Sequence, residues 1–284
     1  MTEDQTLTLE DGRTLGFAEY GDPTGTPIFL FHGFPGTRHV GKVGHDDAER
    51  LGVRVICPER PGFGLSDLQA DRRISDWPAD VVALADSMGI ERFGVVGISG
   101  GGPYAAACAR FLSERLSRTA IVCGVGPFDA PGATFGMSRQ NRIIFGLSRR
   151  IPGVVGKLMA STMNRARRDP DKMIARMKRS LPEVDQVVLD RPDAIAMIMG
   201  GNEPWSAEAI GLESSLFVRP WGFELSDIRS EVHLFQGDLD KNVPPTMGRY
   251  QVAQIPDCVA HFYPDEGHLS LVVNRGEEIL SLFV

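Results

Sequence analysis

The chain has 284 residues, of which 42% are hydrophobic and 24% are charged, as in an ordinary globular protein. This length fits one large α/β domain with room for an inserted segment. The formal net charge of −7 argues against general nucleic-acid binding. No apolar run approaches membrane-spanning length, so we expect no integral membrane segment.

The cysteines and the N-terminus predict the compartment. Each of the four cysteines lies in an apolar strand or helix pattern without compact spacing, which favours reduced core thiols over disulfides. No paired-cysteine motif or histidine cluster indicates a metal, and we expect neither a metal nor a cofactor. The N-terminus is acidic and polar where a secretory signal would be basic and then apolar. We therefore expect a cytoplasmic protein.

The first part of the chain predicts a hairpin followed by alternating strands and helices. Residues 7–9 and 14–20 are strand candidates, and Asp11-Gly12 between them favours the tight turn of an antiparallel hairpin. The next strand candidates are 28–31, 53–57, 93–96 and 119–123, and the helix candidates are 38–51, 76–88 and 100–112. This order predicts a parallel sheet covered by helices on both faces.

The alternation stops after residue 127 and resumes at a strand candidate, 232–235. A further strand candidate at 259–263 and a final helix near 275–283 follow. Between the two parts, residues 138–179 carry twelve Lys or Arg and only two acids. Interspersed apolar residues predict amphipathic helices with solvated charged faces. Attraction of an anionic substrate or weak peripheral association with a membrane is the alternative.

Ser99 lies in the sequence Gly97-Ile-Ser-Gly-Gly101, between a strand candidate and a helix candidate. A G-x-S-x-G nucleophile requires this context, because the serine takes up a strained backbone conformation and the two glycines relieve the crowding around it. The alternative is a glycine-rich turn that cradles phosphate at a helix N-terminus. Neither G-x-G-x-x-G nor Gly-Lys-Ser/Thr matches residues 94–103, which disfavours a nucleotide site.

A nucleophilic serine needs a base to accept its proton, and histidine is the usual choice because its pKa lies near neutral pH. His268 follows the last predicted strand, on a loop and beyond a glycine. The other histidines lie in predicted strands, in the first predicted helix or in a turn: His233, His261, His39, His45 and His32. His268 is therefore the candidate base.

The base needs an acid that orients it and stabilises its charged form. The turn after the strand candidate 232–235 offers two carboxylates, Asp238 and Asp240. They are two positions apart, so in an extended segment they point the same way, and geometry alone does not choose between them. Asp129, which follows the strand candidate 119–123, is another source of the acid.

Acyl transfer also needs N–H donors for the oxyanion that develops on the substrate. Gly100, directly after Ser99 and at the start of a predicted helix, supplies one backbone N–H. The loop after the strand candidate 28–31 is the expected source of the second, with the backbone of Phe34 as the candidate. Phe34 and Gly100 are therefore the predicted oxyanion-hole residues.

With Ser99, an acid and His268 in this chain order, the sequence resembles the α/β-hydrolase superfamily from about residue 7 to the C-terminus. The matching motifs are Phe-His-Gly-Phe-Pro-Gly-Thr-Arg (31–38), Arg-Pro-Gly-Phe-Gly-Leu-Ser-Asp (60–67), Gly-Ile-Ser-Gly-Gly-Gly-Pro-Tyr (97–104), Gly-Asp-Leu-Asp-Lys-Asn-Val-Pro (237–244) and Gly-His (267–268). In this family the acid usually sits in a Gly-x-x-Asp-x-x-Val-Pro pattern, which gives the role to Asp240. The resemblance implies a Ser-Asp-His triad.

The resemblance also implies the α/β-hydrolase fold, a mostly parallel eight-stranded sheet with helices on both faces and an inserted helical cap. The hydrolase core is expected at residues 1–127 and 217–284, and the cap segment at residues 128–216. Apolar residues of this segment either line an acyl or aromatic pocket or pack internally: Phe135, Phe145, Met159, Met163, Met197 and Met199.

Departures from subfamily patterns narrow the expected chemistry. Dehalogenase-like and epoxide-hydrolase-like members carry Asp as the nucleophile, so Ser99 argues against both. We expect a carboxylesterase-like serine hydrolase that cleaves a small carboxylic ester through an acyl-enzyme on Ser99. Carbon–carbon bond hydrolysis and aminopeptidase-like amide cleavage use the same triad and stay open, as does a receptor-like relative that binds a ligand without turnover.

Overall fold

A computed structural model of the chain describes residues 1–200 and 203–284, without the side chains of residues 193, 196 and 199. The strands are β1 (Thr2–Thr8), β2 (Thr14–Gly21), β3 (Thr26–Phe31), β4 (Val53–Pro58), β5 (Phe93–Ile98), β6 (Leu116–Val122), β7 (Val232–Gly237) and β8 (Cys258–Tyr263). The α-helices are α1 (His45–Leu51), α2 (Trp77–Ser87), α3 (Gly102–Phe111), α4 (Arg139–Ser148), α5 (Pro152–Ala166), α6 (Pro170–Lys178), α7 (Glu183–Val188), α8 (Pro192–Met199), α9 (Ala207–Phe217), α10 (Pro245–Gln254), α11 (His268–Asn274) and α12 (Gly276–Leu280). Short 3-10 helices cover Arg38–Gly44, Ile74–Asp76, Ser99–Gly101, Leu225–Asp227 and Ser281–Phe283.

The strands of the described chain form one eight-stranded sheet in the order β1-β2-β4-β3-β5-β6-β7-β8. β2 runs antiparallel to β1 and β4, and every pair from β4 to β8 is parallel. The predicted hairpin is present, with Thr8 paired to Thr14 and Gly12 at a φ of +86° in the turn. The predicted mostly parallel eight-stranded sheet is confirmed.

Both faces of the central strands are covered, because alternate side chains of a strand point to opposite faces. On β3, Phe29 and Phe31 pack in the cluster that contains Trp77 of α2. Ile28 and Leu30 of the same strand pack in a second cluster against α1 and α12. The short apolar runs in the sequence are therefore strands buried on both sides, and their C-terminal ends gather at one edge of the sheet.

The helices α4 to α9 lie between β6 and β7. The basic stretch 138–179 forms α4, α5 and α6, as the amphipathic pattern predicts. Ser138 caps α4 by accepting a hydrogen bond from Asn141 N at 3.3 Å, and Asp169 caps α6 by accepting one from Lys172 N at 3.2 Å. The division into a core and a cap segment at residues 128–216 stays a prediction.

Several helix boundaries differ from the predicted ones. The expected helices 38–51 and 100–112 each begin with a 3-10 segment, at Arg38–Gly44 and Ser99–Gly101. His268 was expected on a loop but is the first residue of α11, because its backbone N–H finds a distant carboxylate acceptor that no local pattern indicates. The expected helix 275–283 divides into α12 and a 3-10 turn. The cysteines of the described chain are all free. Across residues 1–200 and 203–284, no helix combines the length and apolarity needed to cross a membrane.

Candidate active site

Ser99 stands at the sharp turn where β5 ends and the helical turn before α3 begins, with a φ of +54°. A left-handed backbone at a residue other than glycine stores strain on the order of 1–3 kcal/mol. A Cβ at Gly97 would lie 2.4 Å from the carbonyl oxygen of Gly101, and one at Gly101 would lie 2.3 Å from that of Phe31. Only glycine fits at these two positions, as the sequence pattern predicts. The Ser99 side chain is half-buried.

His268 lies between Ser99 and a carboxylate. Its Nε2 is 3.0 Å from Ser99 Oγ, and its Nδ1 is 2.7 Å from Asp240 Oδ2. A carboxylate only accepts hydrogen bonds, so Nδ1 donates its N–H to Asp240. Nε2 then keeps its lone pair and accepts the hydroxyl proton of Ser99. The structure therefore brings the three predicted residues together in the order serine, histidine, aspartate.

Asp240 is buried and held from both sides. Its Oδ1 accepts backbone N–H groups from Asn242 at 2.7 Å and Val243 at 2.9 Å. The side-chain amide of Gln236 lies 3.4 Å from Oδ2, the oxygen that faces His268. These donors fix the carboxylate in the turn after β7 and compensate part of its charge.

The alternative acids lie elsewhere. Asp238 is exposed and pairs with Arg249 at 3.0 Å. Asp129 is also exposed, and the hydrogen-bond partner of His268 Nδ1 is Asp240. Of the candidate carboxylates, Asp240 is thus the one in contact with the histidine.

The protonation of His268 is governed by burial and by two acids. Burial lowers the pKa of His268, but the charge and hydrogen bond of Asp240 and the charge of Asp185 raise it, and the net pKa lies above the ordinary value. The imidazolium form is therefore more stable here than it is for a histidine in water. Such a histidine readily takes a proton from a serine hydroxyl.

His32, the other histidine near this turn, has a structural role. Its Nδ1 donates to the carbonyl of Gly33 at 2.9 Å, and its Nε2 accepts the backbone N–H of Arg60 at 3.2 Å. Burial, and then the charge of Arg60, hold the pKa of His32 well below its usual range. The ring is neutral with both nitrogens occupied, so it shapes the loop after β3.

The two residues predicted as oxyanion donors, Phe34 and Gly100, lie close together beside Ser99. A Cβ at Gly100 would lie 3.1 Å from the backbone nitrogen of Phe34. Within residues 1–200 and 203–284, no protein group accepts the Phe34 N–H. The Gly100 N–H belongs to the first helical turn, where backbone N–H groups lack an intrahelical acceptor. Two N–H groups are thus available for an anion at this place.

Arg60 holds the loop that carries Phe34, a role that we did not predict. Its Nη1 donates to the carbonyl of His32 at 2.5 Å, and its Nη2 donates to that of Gly33 at 2.8 Å. Arg60 is fully buried and its Nε donates to Glu213 on α9 at 2.6 Å. Its place in the motif 60–67 was the available sequence signal. The guanidinium therefore connects α9 to the loop after β3.

Glu213 completes this buried network. It also forms an ion pair with Arg72 and accepts the hydroxyl of Tyr104 at 2.9 Å. Burial raises the pKa of Glu213, but the charges of Arg72 and Arg60 lower it by more than burial raises it. The net pKa therefore lies below its usual value, and the carboxylate is ionised. The sequence signal was an acid in the interior of α9, flanked by leucine and serine.

Four phenylalanines form an aromatic wall next to the oxyanion donors. Its members are Phe34, Phe128, Phe145 and Phe217. The Phe145 ring centroid lies 4.8 Å from that of Phe128 and 6.3 Å from that of Phe217. A Cβ at Gly100 would lie 3.1 Å from the Phe217 ring, which places the wall beside Ser99. The wall is an apolar surface next to the two N–H groups.

The other apolar residues suggested as pocket lining lie outside this wall. Phe135 is 76% exposed. Met159 and Met163 pack in the cluster of Trp205 and Ile210, and Met197 packs against the cluster on the α1 side of the sheet. The side chain of Met199 lies outside the described residues. A groove of about 440 Å³ lined by Arg72 and Arg219 does not include Ser99.

One group of side chains in the described residues has the spacing of metal ligands. Ligand atoms of Cys123, Asp240 and His268 lie within 4.8 Å of one another. Burial, and then the charge of Asp240, hold the pKa of the Cys123 thiol well above its usual range, so the thiol is protonated and a poor ligand. Asp240 and His268 are hydrogen-bonded to each other through the atoms that would bind a metal. The arrangement suits proton transfer better than metal binding.

Comparisons with known proteins give the family. The family described as "Alpha/beta hydrolase family" matches residues 28–281. An esterase from Thermogutta terrifontis has the same fold, with a TM-score of 0.66 and 23% identity over 99% of this chain and 96% of that chain. The predicted α/β-hydrolase fold is confirmed.

Curated relatives match over a shorter stretch. A non-heme chloroperoxidase from Streptomyces lividans is 30% identical over 131 residues, which are 43% of this chain and 45% of the relative. A 2-hydroxymuconate semialdehyde hydrolase from Pseudomonas putida is 33% identical over 105 residues, which are 36% of this chain and 37% of the relative. The chain thus spans less than half the length of these relatives. Since the family match extends over most of its length, the chain belongs to the α/β-hydrolase family.

Proposed function

We propose that the protein is a serine esterase that cleaves a small carboxylic ester through an acyl-enzyme on Ser99. The observation that carries this proposal is a chain of two hydrogen bonds. One joins Ser99 Oγ to His268 Nε2 at 3.0 Å, and the other joins His268 Nδ1 to Asp240 Oδ2 at 2.7 Å. Covalent catalysis requires a nucleophile that is hydrogen-bonded to a base, and a third group that orients the base.

In the first half of the reaction, Ser99 Oγ attacks the ester carbonyl while His268 Nε2 takes the hydroxyl proton. The backbone N–H groups of Phe34 and Gly100 bind the oxyanion of the tetrahedral intermediate. Asp240 stabilises the imidazolium, whose formation the raised pKa of His268 favours. The intermediate then breaks its bond to the alkoxy oxygen, which leaves as an alcohol with the proton from His268.

In the second half, a water molecule replaces the alcohol. His268 takes a proton from the water as its oxygen attacks the acyl carbon, and the same two N–H groups bind the new oxyanion. Collapse of the intermediate breaks the bond to Ser99 Oγ, which recovers its proton from His268. The products are a carboxylic acid and free enzyme, with no cofactor consumed.

The aromatic wall favours an apolar acyl group. Phe34 combines a backbone donor with a side chain in the wall, so a substrate held by its carbonyl oxygen presents its acyl group to Phe145 and Phe217. We propose that the cap segment, which supplies Phe128 and Phe145, selects substrates by this contact. Polar or charged acyl groups would lose hydration here without gaining partners.

Ser99→Ala tests the nucleophile. We expect the variant to lose hydrolysis of a short p-nitrophenyl ester by on the order of 10⁵- to 10⁶-fold, as when a nucleophile is removed from a triad. A fluorophosphonate probe should label the wild type and the control Ser180→Ala, whose serine is exposed on the surface, but not Ser99→Ala. A wild type that is neither labelled nor active would overturn the proposal.

A substrate panel separates the reaction classes. We expect the wild type to cleave p-nitrophenyl esters faster than β-diketones or aminoacyl amides. Cleavage of a β-diketone without ester cleavage would keep Ser99 as nucleophile but replace the esterase assignment. Tight ligand binding without turnover of any compound would indicate a receptor-like protein instead.

A further inference from the structure

Asp185 lies in α7, far in sequence from the predicted triad, and it is completely buried. Its carboxylate accepts three consecutive backbone N–H groups at the start of α11. Oδ2 accepts from His268 at 3.1 Å, and Oδ1 accepts from Leu269 at 2.9 Å and Ser270 at 2.9 Å. The first helical N–H groups of the helix that begins with His268 are thus satisfied by an acid on another element.

The chain makes room for this carboxylate at Gly267, the residue before α11. A helix usually receives its N-terminal acceptor from the side chain at this position, and glycine offers none. A Cβ on Gly267 would lie 2.5 Å from both carboxylate oxygens of Asp185. Gly267 therefore admits the distant carboxylate into the place that a local capping side chain would take.

The donors that the structure gives to the Asp185 carboxylate are these three backbone N–H groups. Its charge is compensated by the three N–H groups and the positive end of α11. The charged groups that face His268 are Asp185 beneath its backbone and Asp240 at its ring. Cys123 and Ser99 beside it are neutral. Two carboxylates from different segments thus hold the same residue, one by its main chain and one by its imidazole.

We propose that Asp185 is a positioning residue for His268 and that it couples the placement of α7 to the alignment of the base with Ser99. The inference rests on the proposed function of His268. Because α7 belongs to the helices between β6 and β7, a displacement of that segment withdraws the carboxylate from α11 and shifts the histidine. A shift of about 1 Å at a reacting group lowers rates by on the order of 10²-fold.

Asp185→Asn tests the proposal with a nearly isosteric change. The single oxygen still accepts from Leu269 and Ser270, whereas the new NH2 group meets the His268 N–H, and two donors repel. We expect kcat on a p-nitrophenyl ester to fall by about 10- to 100-fold with a smaller change in KM. The acid limb of the pH profile should move to lower pH, because loss of the negative charge destabilises the imidazolium.

Two further variants separate positioning from general damage. Asp190→Asn removes a charge from the same segment at an exposed ion pair with Lys178, and it should behave as wild type. Gly267→Ala keeps Asp185 but forces its carboxylate away from α11, and it should lower kcat as Asp185→Asn does. If Asp185→Asn does not fold, Gly267→Ala carries the test.

An NMR titration of the His268 ring Cε1–H gives a readout besides activity. A lower midpoint in folded Asp185→Asn, together with reduced kcat, supports the proposal. An unchanged midpoint and kcat with only a lower Tm overturns it, since Asp185 then serves stability alone. If no variant and no wild-type sample hydrolyses an ester, the proposed function fails. The His268 midpoint still decides whether Asp185 acts on the histidine.

Discussion

Asp240→Asn separates the charge of the acid from its shape. The Oδ1 atom of Asp240 accepts N–H groups from Asn242 at 2.7 Å and Val243 at 2.9 Å. An asparagine keeps both bonds with its one oxygen, so its NH2 group takes the place of Oδ2 beside His268 Nδ1. Because NH2 only donates, Nδ1 must accept, and the ring proton moves to Nε2.

The change of tautomer determines how far kcat falls in Asp240→Asn. With a proton on Nε2, His268 no longer accepts the hydroxyl proton of Ser99 at the 3.0 Å contact. A triad histidine in the wrong tautomer loses about 10⁴-fold in kcat, or roughly 5 to 6 kcal/mol in activation free energy. Both backbone bonds persist, so the free energy of unfolding should change by only about 1 kcal/mol.

The assay is kcat/KM on a p-nitrophenyl ester from about pH 6 to pH 9, with urea unfolding of each variant. Asp238→Asn is the matched control, because Asp238 belongs to the same turn but is exposed and pairs with Arg249. Asp129→Asn tests the other sequence candidate. A loss below about tenfold in Asp240→Asn, or a larger loss in Asp129→Asn, would refute the assignment of the acid.

Other predictions concern pH, specificity and stability. The acid limb of the wild-type kcat/KM profile should have its midpoint above 6.5, the ordinary pKa of histidine, because Asp240 raises the pKa of His268 and the neutral ring is the base; a midpoint below 6.5 contradicts this. Phe145→Ala should lower kcat/KM for benzoyl or hexanoyl esters about tenfold more than for acetyl esters, and equal losses would exclude Phe145 from the acyl pocket. Glu213→Gln leaves two buried arginines without a countercharge and should lower the free energy of unfolding in urea by about 3 to 5 kcal/mol. Glu208→Gln is its control, because Glu208 is exposed. Equal stability of the two variants would show that the buried Glu213 network does not stabilise the fold.

The sequence by itself determined the features that depend on neighbouring residues. The apolar run at 93–96 predicted β5, which the structure extends to Ile98. The turn at Ser99 was predictable because its crowding involves glycines two positions away. The order of strands and helices predicted the sheet because parallel strands need covering helices between them. The boundary at His268 was missed, since that helix starts where a distant side chain supplies its acceptor.

Only the tertiary structure decided which distant side chains meet. The sequence pattern alone left Asp238 and Asp240 equivalent, and the family pattern favoured Asp240. The fold turns Asp240 inward to His268 and leaves Asp238 exposed. Asp185 and Glu213 stand 83 and 153 residues from the partners His268 and Arg60. Such contacts depend on how whole helices pack onto the sheet. Neither the local hydrophobic periodicity nor a short sequence motif specifies that packing.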